Sequence, residues 1–190
     1  MGASWVSGIN LYACVATLGL LGRFASLQLP GELQVLTSWW VIGVAIGLYV
    51  VEFVADKVPI VDSTWDVIHT FIRVPAGAVL AAGAFGDFDR SIQVIALLIG
   101  GGLALTSHGT KAATRVALNA SPEPVSNAVA SVIEDIIAVL SVIASVFVPV
   151  LLFIIVGVGL VISFLVFKRI RRFFQQVTKT IRGWLAPATS

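Results

Sequence analysis

The sequence predicts an all-α fold, a polytopic bundle of transmembrane helices, on three observations. Hydrophobic side chains make up 58% and charged ones 12% of the 190 residues, against about a quarter charged in soluble domains. Several apolar runs approach the roughly 20 residues that a helix needs to cross a bilayer. Polar residues inside those runs recur at helical spacing, so that each set shares one face.

The first apolar run, about Ser7 to Gly22, ends at Arg23 and reads as a first span. It lacks the basic flank of a secretory signal, and Val6 spoils a myristoylation pattern, so it is expected to remain in the mature protein. A polar connection through Gln28, Pro30, Gly31 and Glu32 leads to a second span, about Leu36 to Ala55. Trp39 and Trp40 sit near its start, where an interfacial aromatic belt belongs, and Pro59 closes it. Ser63 with Asp66 resembles a capping box opening a third helix, Trp65 to Phe85, which Pro75 should kink or divide. After the turn Gly86-Asp87-Phe88-Asp89-Arg90, a fourth helix runs from Ile92 to about Leu118, with Gly100, Gly101 and Gly102 allowing close backbone approach. Ser121-Pro122-Glu123-Pro124 then reads as an N-cap, a proline at the first helical position and a favourable acid.

The remaining apolar run, Ile136 to Phe167, is too long for one upright helix, since a helix rises 1.5 Å per residue and the hydrocarbon core is about 30 Å thick. Either Pro149 marks a reversal between a fifth and a sixth span, or residues 122 to 135 form a re-entrant piece before one long, bent fifth span. Charge placement favours six spans. Residues 1–167 carry six Lys/Arg against ten Asp/Glu, whereas residues 168–190 carry six Lys/Arg and no acid. A basic cluster directly after a span marks the cytoplasmic side, and with six spans Lys57, Lys111 and Arg115 share that side. Two units follow: a transmembrane domain, 1–167, and a basic amphipathic tail, 168–190. In the tail Phe173, Phe174 and Trp184 oppose Arg171 and Arg172, the pattern of a helix lying flat on anionic lipid headgroups. Nucleic acid is not an expected partner. The C-terminus is expected on the cytoplasmic side of the membrane.

Four polar stripes carry the chemistry. Asp62, Asp66, His69 and Arg73 share one helical face, as do His108, Lys111, Arg115 and Asn119; Tyr49, Glu52 and Asp56 form a third set and Asn127, Ser131 and Glu134, beside Asp135, a fourth. Ionisable groups at membrane depth cost about 2.5–3.5 kcal/mol each on insertion scales, so they face a protein interior or a water-filled cavity. Glu52, Asp56, Asp62, Asp66, Glu134 and Asp135 could supply oxygens to a divalent cation or carry protons, with His69 and His108 exchanging protons or tilting preference toward a transition metal. Lys57, Arg73, Lys111 and Arg115 would balance those acids, and a self-neutralising ion-pair network is the competing reading. Ser7, Asn10, Tyr12 and Thr17 of the first run would line the same interior or bond between helices. Gly43 and Gly47 offer close helix packing or the face of a homo-oligomer.

No His-Glu-x-x-His or Gly-x-Ser-x-Gly motif is present, so no catalytic residues are assigned and enzyme activity is disfavoured. Cys14 stands alone, which excludes an intrachain disulfide. Span Glu52 to Arg73 and span His108 to Asp135 share an order of lysine, proline turn, serine cap and buried polar groups, consistent with an internal repeat.

Ser7-Gly8-Ile9-Asn10-Leu11-Tyr12, Glu52 through Pro59, Asp62 through Arg73 and Ser121-Pro122-Glu123-Pro124 resemble a bacterial integral-membrane family described only as a domain of unknown function, 4126. The likeness covers roughly residues 3 to 150 and implies a multi-spanning membrane protein without supplying an activity. Glu52-x-x-x-Asp56-Lys57 is loosely similar to the Glu-x-Gly-Asp-Lys/Arg motif of six-span calcium and manganese exchangers, though one residue longer and without the glycine. Two classes of function are therefore expected: binding or passage of a small ion by a proton- or cation-coupled mechanism, or a non-transporting scaffold whose charges are structural and whose tail recruits lipid or a partner.

Overall fold

The computed structural model describes residues 1–25, 27–119 and 124–185, and among them it contains seven α-helices and a 3-10 turn. These are α1 (Gly2–Ile9), α2 (Leu11–Phe24), the 3-10 turn (Gly31–Thr37), α3 (Trp39–Ala55), α4 (Pro59–Ala84), α5 (Arg90–Asn119), α6 (Pro124–Phe147) and α7 (Pro149–Leu185). Three stretches, Thr64–Ala84, Arg90–Val116 and Ala128–Phe147, are long and apolar enough to cross a membrane, and the 3-10 turn with α3, bent by 72°, would make a fourth. Large apolar side chains cover the outside, Trp40, Phe71 and Phe153 among them. Such a surface suits lipid rather than water.

The uninterrupted first span expected over Ser7 to Gly22 is not formed. Asn10 is extended (φ −147°, ψ 103°) and separates α1 from α2. Cys14 Sγ lies 3.4 Å from the carbonyl oxygen of Ala3; in one straight helix those residues would stand about 16 Å apart. The chain therefore doubles back at Asn10. The far end of α2 meets the start of α3, where Arg23 Nη1 donates to the Thr37 carbonyl at 3.2 Å. Asn10 sustains the reversal because its amide oxygen accepts from Ala13 N–H at 2.9 Å, a side-chain cap on α2. Residues 2–24 thus form a helical hairpin whose tip is Asn10.

Small residues admit this hairpin to the centre of the bundle. A side-chain carbon on Gly8 would collide with Ser107 Oγ and the Ala104 carbonyl of α5. Ser107 Oγ donates to the Trp5 carbonyl at 2.7 Å, and α1 also packs on α4, α6 and α7. At the hairpin's open end Gly31, with φ +56°, lies against the Gly83 carbonyl and Gly86 at the C-terminus of α4; a left-handed backbone there suits glycine alone.

Pro59 does not merely close the second span: it is the first residue of α4, so the expected cap at Ser63 falls inside the helix. Proline takes that position because its missing N–H would have no helical partner. Pro75 lies within α4 without dividing it. Asp89 begins α5 by accepting from Ser91 N–H at 2.8 Å, which holds its carboxyl below the ordinary 3.8. Ser121, Pro122 and Glu123, read above as a helix start, lie outside the described residues.

A break at Val148 separates α6 from α7. Glu134 of α6 bonds Arg115, and Ser163 of α7 accepts from Thr110 at 2.6 Å, so points 29 residues apart meet neighbouring turns of α5. The chain reverses at Pro149. Beyond Phe167, α7 continues unbroken into the basic tail as far as Leu185. The expected boundary at 167/168 carries no helix break, since no glycine, proline or turn residue interrupts the hydrogen-bond ladder there.

Candidate functional site: alternating charges beneath a helix reversal

The tip of the hairpin, the C-terminal end of α3, the first half of α4, the last third of α5 and the middle of α6 converge on one buried polar core. Glu52, Asp56, Asp62, Asp66, His69, Arg73, His108, Lys111, Arg115 and Asp135 are all buried. The i, i+3/i+4, i+7 spacing puts each set on the inward face of its helix while the intervening apolar residues face outward.

Six of these groups and the half-buried Glu134 form a chain of alternating sign. Asp66 Oδ1 lies 3.5 Å from Arg73 Nη1, and Arg73 Nη2 donates to Glu52 Oε1 at 2.5 Å. Lys111 Nζ stands 3.6 Å from Glu52 Oε1 and donates to Asp56 Oδ2 at 2.9 Å. Arg115 Nη2 is 3.9 Å from Asp56 Oδ2 and donates to Glu134 Oε2 at 2.6 Å. Glu134 closes a small ring, because its Oε2 is also 3.9 Å from Lys111 Nζ. Each cation touches at least two acids. Even so, Glu52 Oε2 and both oxygens of Asp66 are buried with no hydrogen-bond donor among the described residues.

Donor and acceptor chemistry assigns both histidines. Arg73 Nη1 can only donate, so His108 Nδ1, 3.2 Å away, accepts and carries no proton. Its Nε2–H then faces the Asp66 carbonyl at 3.0 Å and Thr70 Oγ1 at 2.8 Å. His69 Nδ1 donates to the Trp65 carbonyl at 2.9 Å, and its Nε2 pairs with the Tyr12 hydroxyl at 3.1 Å. The His69 ring stacks on Trp65, with centroids 4.5 Å apart. His108 is neutral in this arrangement, and protonating it at Nδ1 requires Arg73 to move away.

The hairpin tip is wired into this core. Arg73 Nη1 also lies 3.4 Å from the Gly8 carbonyl in the last turn of α1, where a cation complements the helix dipole. Asn10 Nδ2 donates to Asp135 Oδ1 at 2.8 Å, and Tyr49 O–H donates to Asp135 Oδ2 at 3.3 Å. Asp62, which precedes the Thr64–Ala84 span, has its carboxyl pushed up to about 6 by burial, against the opposing pull of Arg115. Among the described residues no three of His, Cys, Asp and Glu come together as a metal-ligand set.

A family model, Domain of unknown function (DUF4126), matches residues 1–169. The chain belongs to this family. No curated protein and no solved structure matches it. The DUF4126 match encloses the hairpin and all of the polar core.

Of the residues singled out in sequence, Lys57 stands apart from the core of this DUF4126 chain. Its Nζ donates to the Phe53 carbonyl at 2.9 Å and lies over the Phe53 ring, while Asp135 and Asp56 still attract it electrostatically. The side chains of Asn119, Asn127, Phe173, Phe174 and Trp184 lie outside the described residues, whereas Arg171 and Arg172 are exposed. Gly43 and Gly47 meet nothing within 4 Å, so they do not pack helices within the chain. Sequence reasoning missed Thr70 and Trp65 as partners of the histidines, and the reversal at Asn10. An asparagine between two apolar runs is an N-cap signal that could have located the reversal.

Proposed function

We propose that this protein is a proton-coupled ion carrier of the bacterial cytoplasmic membrane, with Glu52, Asp56, Asp62 and Asp66 binding protons or a small cation and His69 and His108 exchanging protons. One observation carries the reading: six carboxyl groups share the core with three fixed cations, Arg73, Lys111 and Arg115, and oxygens of Glu52 and Asp66 have no donor. Ionised together, they would leave an excess of three negative charges in a low-dielectric interior, at a cost of several kcal/mol per ion. Protons or a cation must enter to relieve that excess. The hairpin tip supports the same reading, because non-helical backbone at membrane depth is tolerated where it is buried in protein or lines a pathway, and broken helices commonly flank ion sites in transporters.

The fold-back of residues 2–24 supports five crossings, α3 to α7, in place of the six favoured by charge placement. Lys57, Lys111, Arg115 and the tail still fall together at one end, which the positive-inside rule assigns to the cytoplasm. There the basic tail meets anionic headgroups, either along the surface or projecting from it. The order of elements in Glu52–Arg73 and His108–Asp135 keeps an internal repeat within this reading.

A scaffold reading is favoured by a different observation, the engagement of Arg73, Lys111 and Arg115 by acids on other helices. Proteoliposomes holding a pH-sensitive dye separate the two. Imposed gradients of Na⁺, K⁺, Mg²⁺, Ca²⁺ or Mn²⁺ should move protons in wild type, and Glu52→Gln or Asp66→Asn should abolish that flux at unchanged expression and oligomer size. Wild-type flux in both variants would remove the carrier reading. Absence of flux from wild type together with earlier melting of both variants would support the scaffold.

A further inference from the structure

A second feature adjoins the charge chain without belonging to it. Between α1, α5, α6 and α7 lies a cavity of about 440 Å³, walled by Trp5, Ile155, Val158 and Ile162 and lined on its polar side by Lys111 and Glu134. Its size falls in the range of about 300–1,000 Å³ typical of small-molecule sites. Val158 is exposed on the apolar outer surface, so the cavity opens sideways, toward the bilayer if α7 crosses it. Glu134 is the polar end that a visitor would meet. Its side chain is 19% exposed, while the other members of the charge chain are 4% exposed or less.

We infer that this cavity binds an amphipathic organic cation, with an ammonium-type head at Glu134 and an apolar body along α7. The inference rests on the reading of the core as acid-rich and exchanging. Charge decides the sign of the head group: Lys111 already has three carboxylates within 4 Å, so an arriving anion would find its counter-charge occupied and would deepen the carboxyl excess, whereas Lys111 and Arg115 meet Glu134 through Oε2 and leave Oε1 to a visiting cation. A cation reduces that excess. An uncharged amphiphile would gain only apolar contact and leave Glu134 as it was. Because Glu134 shares Lys111 and Arg115 with Asp56, a cation bound there competes with protons for the same carboxyl set. The ligand class is therefore one that enters from lipid and bypasses the buried end of the core.

The test is calorimetric titration of the full chain in lipid nanodiscs with octyltrimethylammonium, octanol and octanoate, which share one chain length and differ in head charge. Octyltrimethylammonium is expected to bind wild type at least about tenfold more tightly than either of the others, and more weakly as the pH falls. Glu134→Gln and Val158→Trp, the second plugging the mouth without touching a charge, should each cost about tenfold. Octanol matching the ammonium compound would reduce the cavity to adventitious partition of an alkyl chain and overturn the site, as would preferred octanoate binding. The comparison of ligands on wild type stands even if a variant fails to fold. Ammonium binding without proton flux would keep the site and reject the carrier, while flux without ammonium binding would keep the carrier and reject the site.

Discussion

Arg73 is the residue on which the core turns. One guanidinium meets Glu52, Asp66, His108 and the Gly8 carbonyl, which lie on four different elements. Removing it takes from Asp66 its cation and leaves Glu52 to Lys111 alone, and breaking a buried pair from one side costs about 3–5 kcal/mol. Arg73→Gln is therefore expected to be among the most destabilising substitutions in the chain. Glu52→Gln in the same molecule should recover much of the loss, because two neutral amides can bond each other. Thermal unfolding of the two single variants and the double measures that coupling, and additive losses would show that the pair is not a unit. The stripe spacing made Arg73 legible in sequence, since i+7 from Asp66 and i+4 from His69 share a face. Its contact with Gly8 was not legible. Nothing local at Gly8 specifies a fold-back, and partners 65 residues apart carry no periodic signal.

At the scale of elements, α3 to α6 follow from apolar length and punctuation, whereas the hairpin does not. Composition treats Ser7 to Gly22 as one run, because asparagine within apolar residues reads equally as a buried polar contact inside a span. What decides is tertiary: a capped Asn10, a glycine that lets α1 touch α5, and Asp135 waiting for the Asn10 amide. A sidedness experiment tests the hairpin. In a background where Cys14 is serine, a cysteine appended before Met1 and one at Ala25 should react with a membrane-impermeant maleimide from the same side. A cysteine replacing Lys57 should react from the opposite side. Reaction of the appended cysteine from the Lys57 side would restore a full first crossing. At Pro149, by contrast, excess length left two readings open, since an apolar run of 32 residues cannot fit one upright span, and charge placement favoured the reversal that is formed.

For the molecule as a whole, the acid excess has a thermodynamic signature. Burial raises the Asp62 carboxyl from 3.8 to about 6, so the folded state holds its proton more tightly than the unfolded chain does. The associated stability is fully present below about pH 4 and is lost as pH rises through about 6. Unfolding in detergent from about pH 4 to 7 should accordingly show a decline that Asp62→Asn flattens. A wild-type profile equal to the Asp62→Asn profile would mean that Asp62 titrates as an ordinary surface acid. The order of assembly is a further matter of the whole chain. The hairpin at the centre precedes its partners in the chain, yet Asn10 finds Asp135 across 125 residues and Trp5 finds Ser107 across 102. Contacts so distant in sequence form slowly, because loop closure precedes any gain from them. The hairpin must therefore wait, the Asn10 amide without its Asp135 partner, until α6 is synthesised. A membrane insertase or chaperone that shelters short, polar-tipped hairpins would shorten that wait, and the yield of folded protein should depend on synthesis keeping pace through α6.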